Sequence, residues 1–245
     1  MWCVWRWVVL GLALSGVPFV LGVSGCSSPL HVDQGAEIDI GREAATQVET
    51  QVGVVHDPVE SPRVERIGLS IARVSTRPKL PWSYQIVDVK EVNAFSLPGG
   101  PVYVTRGLLA LGVSDDELAG VLGHETAHIQ LRHAAKDMER AMRYNLLEQL
   151  ALGGSSDLVQ AGADMALQLA LVLPHSRQDE YQADAVGTRL AVTAGYAPDG
   201  LLRFLRRLDA LHGGSHTPTW LQTHPLTQDR IAREEALVAE LAPNR

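Results

Sequence analysis

Apolar residues recur along most of this chain at spacings of three and four, the period of a helix with one buried face. The pattern predicts helices near 34–52, 58–75, 177–194, 198–211 and 226–240. Residues 83–89 and 102–105 are β-branched and aromatic instead. Val102-Tyr103-Val104-Thr105 follows a Pro-Gly-Gly-Pro turn, and both stretches read as strands. A further helix is expected from about residue 115, because Ser114-Asp115-Asp116-Glu117 has capping-box spacing, with Ser114 as N-cap and Glu117 at N3. The stretch 137–173 reads as helical with a break at Gly153-Gly154-Ser155-Ser156. Its apolar run, Ala166 to Leu173, is too short for a membrane span and reads as a buried helix. The fold class is α+β, mostly helical with a small sheet, and residues 34–245 suit one domain.

The first residues have a different character. Between Met1 and Gly25 there is one charge, Arg6, and an apolar run from Val8 to Gly22, the layout of a secretory signal. Val23-Ser24-Gly25-Cys26 resembles a bacterial lipobox. Residues 1–25 are therefore expected to be a lipoprotein signal peptide, Cys26 the lipidated first residue, and 26–33 a tether. Trp2, Trp5 and Trp7 are unusual in such a leader and keep an uncleaved anchor as the alternative. Ser27 after the cysteine resembles the signal for outer-membrane sorting, so the expected place is the cell envelope, lipid-anchored and facing the periplasm. Cys3 and Cys26 are the two cysteines, which leaves no intramolecular disulfide once the leader is gone. The net charge of −7 argues against nucleic acid and against membrane binding by charge.

Within the expected helix near 115, His124-Glu125-Thr126-Ala127-His128 reads H-E-x-x-H. Residues four apart share a helix face, so both imidazoles can reach one ion. Zinc accepts two histidine nitrogens and leaves room for a third ligand and a water. Glu125 lies to the side, where it can take a proton from the metal-bound water. The spacing encodes a hydrolytic metal site, most often a metalloprotease; two solvated or packed histidines are the plain alternative. The best third ligand downstream is Glu180. Asp184, one turn on, would accept the free N–H of a ligating histidine and fix its orientation. A solvated acidic helix face is the alternative there. His133 is a rival ligand, but on a continuing helix it falls roughly 140 degrees round from His128. It reads as a supporting polar residue or a surface one. His31, His56, His175, His212 and His216 have no partner at metal spacing and read as ordinary residues.

Five ordered segments resemble one family. They are Asn93-Ala94-Phe95-Ser96-Leu97-Pro98-Gly99-Gly100; Gly107-Leu108-Leu109; Gly123 to His128 with Arg132-His133; Ser176-Arg177, Glu180 and Ala183-Asp184; and Thr223-His224-Pro225 with Arg230. Together they resemble the M48 family of zinc metallopeptidases, the gluzincin group that includes quality-control proteases of the bacterial envelope and the mitochondrial inner membrane. The resemblance implies a zincin-like domain, one Zn2+ per chain on His124, His128 and Glu180, and Glu125 as general base. Tyr181-Gln182 departs from the family, which often has a second acidic residue before Ala-Asp. That change is expected to alter surface charge and not ligation.

In proteases of this type a strand like 102–105 lies at the sheet edge beside the zinc helix. Gly100, Val102, Tyr103 and Val104 are then candidates to pair with an extended substrate; a buried strand is the alternative. His224 could hydrogen-bond a developing oxyanion, or fill the open metal position and hold the enzyme inactive. It could also be a plain turn residue before Pro225. Arg230 would pin this loop through a carboxylate. The implied function is a zinc-dependent endopeptidase of the cell envelope, hydrolysing misfolded or misassembled envelope proteins by Glu-assisted attack of zinc-bound water. The alternative is a chaperone-like assembly factor with weak or regulated proteolysis. A peptidoglycan hydrolase is disfavoured, because basic or aromatic sugar-binding patches are absent.

Overall fold

A computed structural model describes residues 31–141, 158–212 and 218–242. The leader, Cys26 and the 153–156 break lie outside the described residues, as does His216. From Val32 onward the chain forms one compact unit. Its helices are α1 (Gln34–Val52), α2 (Glu60–Val74), α3 (Arg106–Leu109), α4 (Asp115–Leu131), α5 (Leu158–Leu171), α6 (Arg177–Thr193), α7 (Gly200–His212), α8 (Trp220–Thr223) and α9 (Gln228–Leu241). Residues 133–141 are also helical. The strands are β1 (Ser83–Val87), β2 (Ala94–Ser96) and β3 (Pro101–Thr105). The α+β, mostly helical class expected from the pattern is the class observed. Among the described residues no helix is long and apolar enough to cross a membrane.

The sheet order is β1-β3-β2, with β3 parallel to β1 and antiparallel to β2. This corrects the expectation for Gly100, Val102, Tyr103 and Val104. β3 is the middle strand: Tyr103 pairs with Gln85 on one side and Phe95 on the other, so the ladder is closed on both sides. The continuous apolar run Val102-Tyr103-Val104 is what a strand covered on both faces carries. Side chains alternate accordingly. Val102 and Val104 join the core with Tyr84, Ile86, α2 and α4, while Tyr103 joins Phe95, Leu97, α1 and α5. The edge beside α4 is β2, three residues long and too short to show a period. Leu97 N–H donates to Pro101 O at 2.9 Å and Thr105 N–H to Asn93 O at 3.0 Å. These bonds put 93, 95 and 97 in the bonded register, so the backbone groups of Ala94 and Ser96 point away from β3.

α4 is buried on all sides from Leu118 to Ile129, which is why no single apolar face stands out in its sequence. Its start is set locally. Ser114 Oγ accepts from Glu117 N–H at 3.2 Å, and Glu117 Oε2 accepts from Ser114 N–H at 2.8 Å. Its end is Arg132, a left-handed residue with φ 61°. That residue is held by a buried carboxylate on α1. Glu37 takes two 2.8 Å bonds from Arg77 and one of 3.2 Å from Arg132 Nε, and Arg77 also donates to Ile129 O at 2.8 Å.

α4 and α6 cross where neither has a side chain. A Cβ on Gly123 would lie 2.6 Å from Gly187 O, and one on Gly187 would lie 2.6 Å from the Gly123 carbonyl carbon. Glycine at both positions therefore permits the close approach. Gly123 immediately precedes His124, and Gly187 follows Asp184 by three residues. The crossing is what sets the two functional faces against each other.

Candidate metal centre

Two turns of α4 aim His124 and His128 at one point, with their Nε2 atoms 3.0 Å apart. The opening turn of α6 supplies Glu180. Ser176 caps that helix by accepting from Asp179 N–H. Glu180 Oε1 lies 3.5 Å from His128 Nε2, and Oε2 lies 3.7 Å from His124 Nε2. His224, after α8, closes the group. Its Nδ1 is 3.2 Å from His124 Nε2 and 3.1 Å from Glu180 Oε1. One ligand atom from each of the four residues falls within 4.8 Å of the others, and all four residues are buried. Such a group could hold a metal ion. His224 is itself firmly held: its N–H donates to Trp220 O at 2.8 Å, and its ring stacks on Trp220 at 4.6 Å.

A second layer holds these side chains. Asp184 Oδ1 sits 2.9 Å from His124 Nδ1, the nitrogen turned away from the centre. Arg230 clamps Asp184 with two bonds of 2.7 and 2.8 Å, reaches Glu180 Oε2 at 2.6 Å, and donates to the carbonyls of His224 and Pro225 at 3.3 Å. One guanidinium thus fixes a cluster carboxylate, its neighbour's partner and the His224 loop. His133 is buried, with its Nδ1 2.9 Å from His128 Nδ1. That excludes the surface reading. The helix does not continue through Arg132, and the left-handed residue turns His133 back onto His128. Glu125 is 1% exposed. Its Oε2 accepts from Ser96 Oγ–H at 2.9 Å, and its Oε1 has no hydrogen-bond partner, lying 3.4 Å from His224 Nε2.

The electrostatics explain how so many charges stay buried. Burial pushes the Glu180 carboxyl up, but His224, Arg230 and His124 outweigh it and hold Glu180 well below the usual range. For Asp184, burial is likewise outweighed by Arg230 and His124, and the net direction is down. Burial drives His124 toward the neutral form, which a metal ligand requires. Burial also disfavours charge on His224, yet Glu180 and Glu125 raise it overall. Glu125, Glu180 and Asp184 bring three carboxylates against the one buried guanidinium of Arg230. Even with His224 favouring its charged form, the three carboxylates outnumber the two cationic groups, and that excess, with the Glu125 oxygen that has no hydrogen bond, fits a cation at this point.

Behind this layer Glu234 accepts from Thr188 Oγ–H, and burial pushes its carboxyl up to about 8. Asp184 contributes to that rise, and Thr188, Arg230 and Arg189 only partly offset it. Between pH about 4.5 and 8 the unfolded chain has lost this proton and the folded chain keeps it, so folding stability falls as pH rises through that window. Glu234→Gln removes the titration. The melting temperature of the variant relative to wild type is expected to climb from pH 5 to pH 8.5. A constant difference across that range would contradict the assignment.

Three neighbours were not legible as site residues. His175 lies against His128 and His224, with ring centroids 4.2 and 5.1 Å apart, and burial drives its pKa down. Its N–H donates to Thr223 O at 2.9 Å, a contact across 48 residues that no local spacing encodes. Gln182 is not simply a surface change, since its Oε1 is 3.4 Å from His133 Nε2. Ser96 bonds Glu125 from the edge strand.

A buried cluster of nitrogen and carboxylate ligands on two crossing helices, with a free carboxylate oxygen alongside, defines a metallopeptidase-type centre. Comparison with known proteins agrees. Residues 58–238 match the model of peptidase family M48. The chain is 30% identical over 221 residues to a putative beta-barrel assembly-enhancing protease of Vibrio cholerae, covering 85% of this chain and 45% of that one. It is 26% identical over 229 residues to the beta-barrel assembly-enhancing protease of Escherichia coli, covering 89% and 47%. It is 33% identical over 183 residues to a mitochondrial metalloendopeptidase of Schizosaccharomyces pombe, covering 74% and 54%. The chain belongs to peptidase family M48. It spans about half the length of these curated relatives.

Proposed function

We propose that this chain is a zinc-dependent endopeptidase that hydrolyses misfolded or misassembled proteins at the bacterial cell envelope. The observation that carries the reading is the convergence of His124, His128 and Glu180 on one point, with the unpaired Glu125 oxygen beside it. The donor set favours zinc: imidazole and carboxylate suit it, whereas calcium and magnesium take oxygen throughout. Ligand atoms about 2.0–2.2 Å from a tetrahedral ion lie roughly 3.3–3.6 Å apart. Here the two Nε2 atoms are 3.0 Å apart, Glu180 lies 3.5 Å from His128 through Oε1 and 3.7 Å from His124 through Oε2, and one atom from each of the four residues fits within 4.8 Å, a spread on the scale of a single ion site.

When bound, the ion supplies Lewis-acid polarisation of the scissile carbonyl and acidifies water. Glu125 takes the proton of the attacking water on Oε1 and passes it to the leaving amine, while Ser96 holds Oε2 in place. His224 is the second group of the mechanism. With its Nδ1 among the ligand atoms it would occupy the open metal position; the alternative role is to donate a ring N–H to the developing oxyanion. Asp184 and Arg230 keep His124 and Glu180 in register. The backbone groups of Ser96 and the carbonyl of Ala94, turned away from β3, suit pairing with an extended chain, a mode that reads backbone more than side chains; the Ala94 N–H already donates to Asn93 Oδ1 at 2.9 Å. The Vibrio and Escherichia relatives are named for beta-barrel assembly, which supports envelope proteins as substrates. The test is digestion of an outer-membrane protein. The unfolded form should be cut and the folded form spared, with loss of cutting under a chelator. Equal cutting of both forms, or chelator-resistant cutting, would sink the reading.

Attachment by lipid at Cys26 is part of the same proposal, supported by Val23-Ser24-Gly25-Cys26 after an apolar leader. Several acyl chains hold a protein to membrane stably where one does so only marginally. Mass spectrometry of the mature N-terminus should find lipid-modified Cys26 and fractionation should find the chain in membranes, most plainly the outer membrane. An intact Met1 would overturn this and leave the metal centre untouched.

A further inference from the structure

The two α4 histidines are backed differently. His124 turns Nδ1 toward a carboxylate, Asp184, at 2.9 Å, and that carboxylate is clamped by Arg230. His128 turns Nδ1 toward another imidazole, His133, at 2.9 Å. The far nitrogen of His133 faces Gln182 Oε1 at 3.4 Å, with Asp179 Oδ1 beyond hydrogen-bond reach at 3.6 Å. Asp179 donates its N–H to Ser176 Oγ and accepts from that hydroxyl on Oδ2, while its Oδ1 stands off His133 Nε2 without a hydrogen bond.

Proton placement follows along this line. A histidine that presents Nε2 to a metal carries its hydrogen on Nδ1. His133 Nδ1 must then accept, which puts the His133 hydrogen on Nε2. That hydrogen needs an acceptor, and the Gln182 carbonyl oxygen is the one within reach. A side-chain amide can serve either way round, so the chain fixes its orientation with oxygen toward His133. We propose that His133 and Gln182 are positioning residues for His128: a neutral imidazole–amide chain that locks its tautomer and ring orientation. The inference rests on the reading of His128 as a metal ligand. Its consequence is an unequal pair: one ligand hydrogen-bonded directly to a carboxylate, the other hydrogen-bonded through an imidazole and an amide, with the Asp179 carboxylate only beyond hydrogen-bond reach.

The test is zinc affinity of the full chain, measured by competition with a chromogenic chelator, beside melting curves of the zinc-free proteins. His133→Leu keeps the bulk and removes the acceptor; it should weaken zinc binding by roughly 10–100-fold. His133→Asn can offer Oδ1 where Nδ1 stood and should stay within about threefold of wild type. Gln182→Glu puts a carboxylate at the end of the chain and should tighten binding. Equal affinities for the Leu and Asn variants, or no tightening with Gln182→Glu, would overturn the proposal. If His133→Leu fails to fold, Gln182→Glu still decides it. A wild-type chain that binds no zinc would instead refute the metal site itself.

Discussion

Glu125→Gln is expected to keep the fold and the metal and to lose at least about 100-fold in the rate of peptide hydrolysis, the scale of a lost general base. The substitution keeps the packing, and its one other effect is to remove the negative charge that favours a charged His224. Glutamine has the same shape, its amide oxygen can still accept from Ser96 Oγ–H, and the site is buried on α4 among groups that do not move with it. What disappears is the ability of the unpaired oxygen to take a proton. Metal content should therefore match wild type while the rate collapses. A variant that digests casein within a few-fold of wild type would remove Glu125 from the mechanism.

Glu180→Ala is expected to do the reverse and take metal and activity together. Glu180 is the one anionic member of the cluster, and three imidazoles remain without it. Loss of that charge from a buried site weakens attraction for a dication directly. It also leaves Arg230, 1% exposed, with Asp184 as its remaining carboxylate partner among the contacts described. Removing one partner of a buried pair typically costs about 3–5 kcal/mol, so the variant should also melt at a lower temperature. Metal analysis separates the cases. A full equivalent of zinc retained in Glu180→Ala would mean that His224, not Glu180, completes the site.

Much of this centre was legible because its pieces are local. His124, Glu125 and His128 share one helix at fixed spacing, Glu180 and Asp184 share another, and capping by Ser114 marks where the first begins. The α4–α6 crossing was legible only in part. Gly123 stands beside His124 in the motif, but Gly187 carries no signal of its own, and their mutual contact is a tertiary fact. What the chain hides is what depends on geometry between segments. β2 is three residues long and shows no alternation, so the strand with the stronger β signal, β3, took the edge role that belongs to β2. Arg132 is an ordinary residue in a left-handed conformation, held there by Glu37 from ninety-five residues away. A helical wheel cannot anticipate that, and it placed His133 away from His128. His175 approaches the centre through a backbone bond to Thr223 and carries no spacing signal at all.

The most direct measurement is a zinc titration of the metal-free chain with casein cleavage as the readout. Cleavage should be absent at the start, rise with each addition and stop rising at one zinc per chain. Cleavage by the fully chelated protein, or a fully zinc-loaded protein that cuts nothing, would contradict the account.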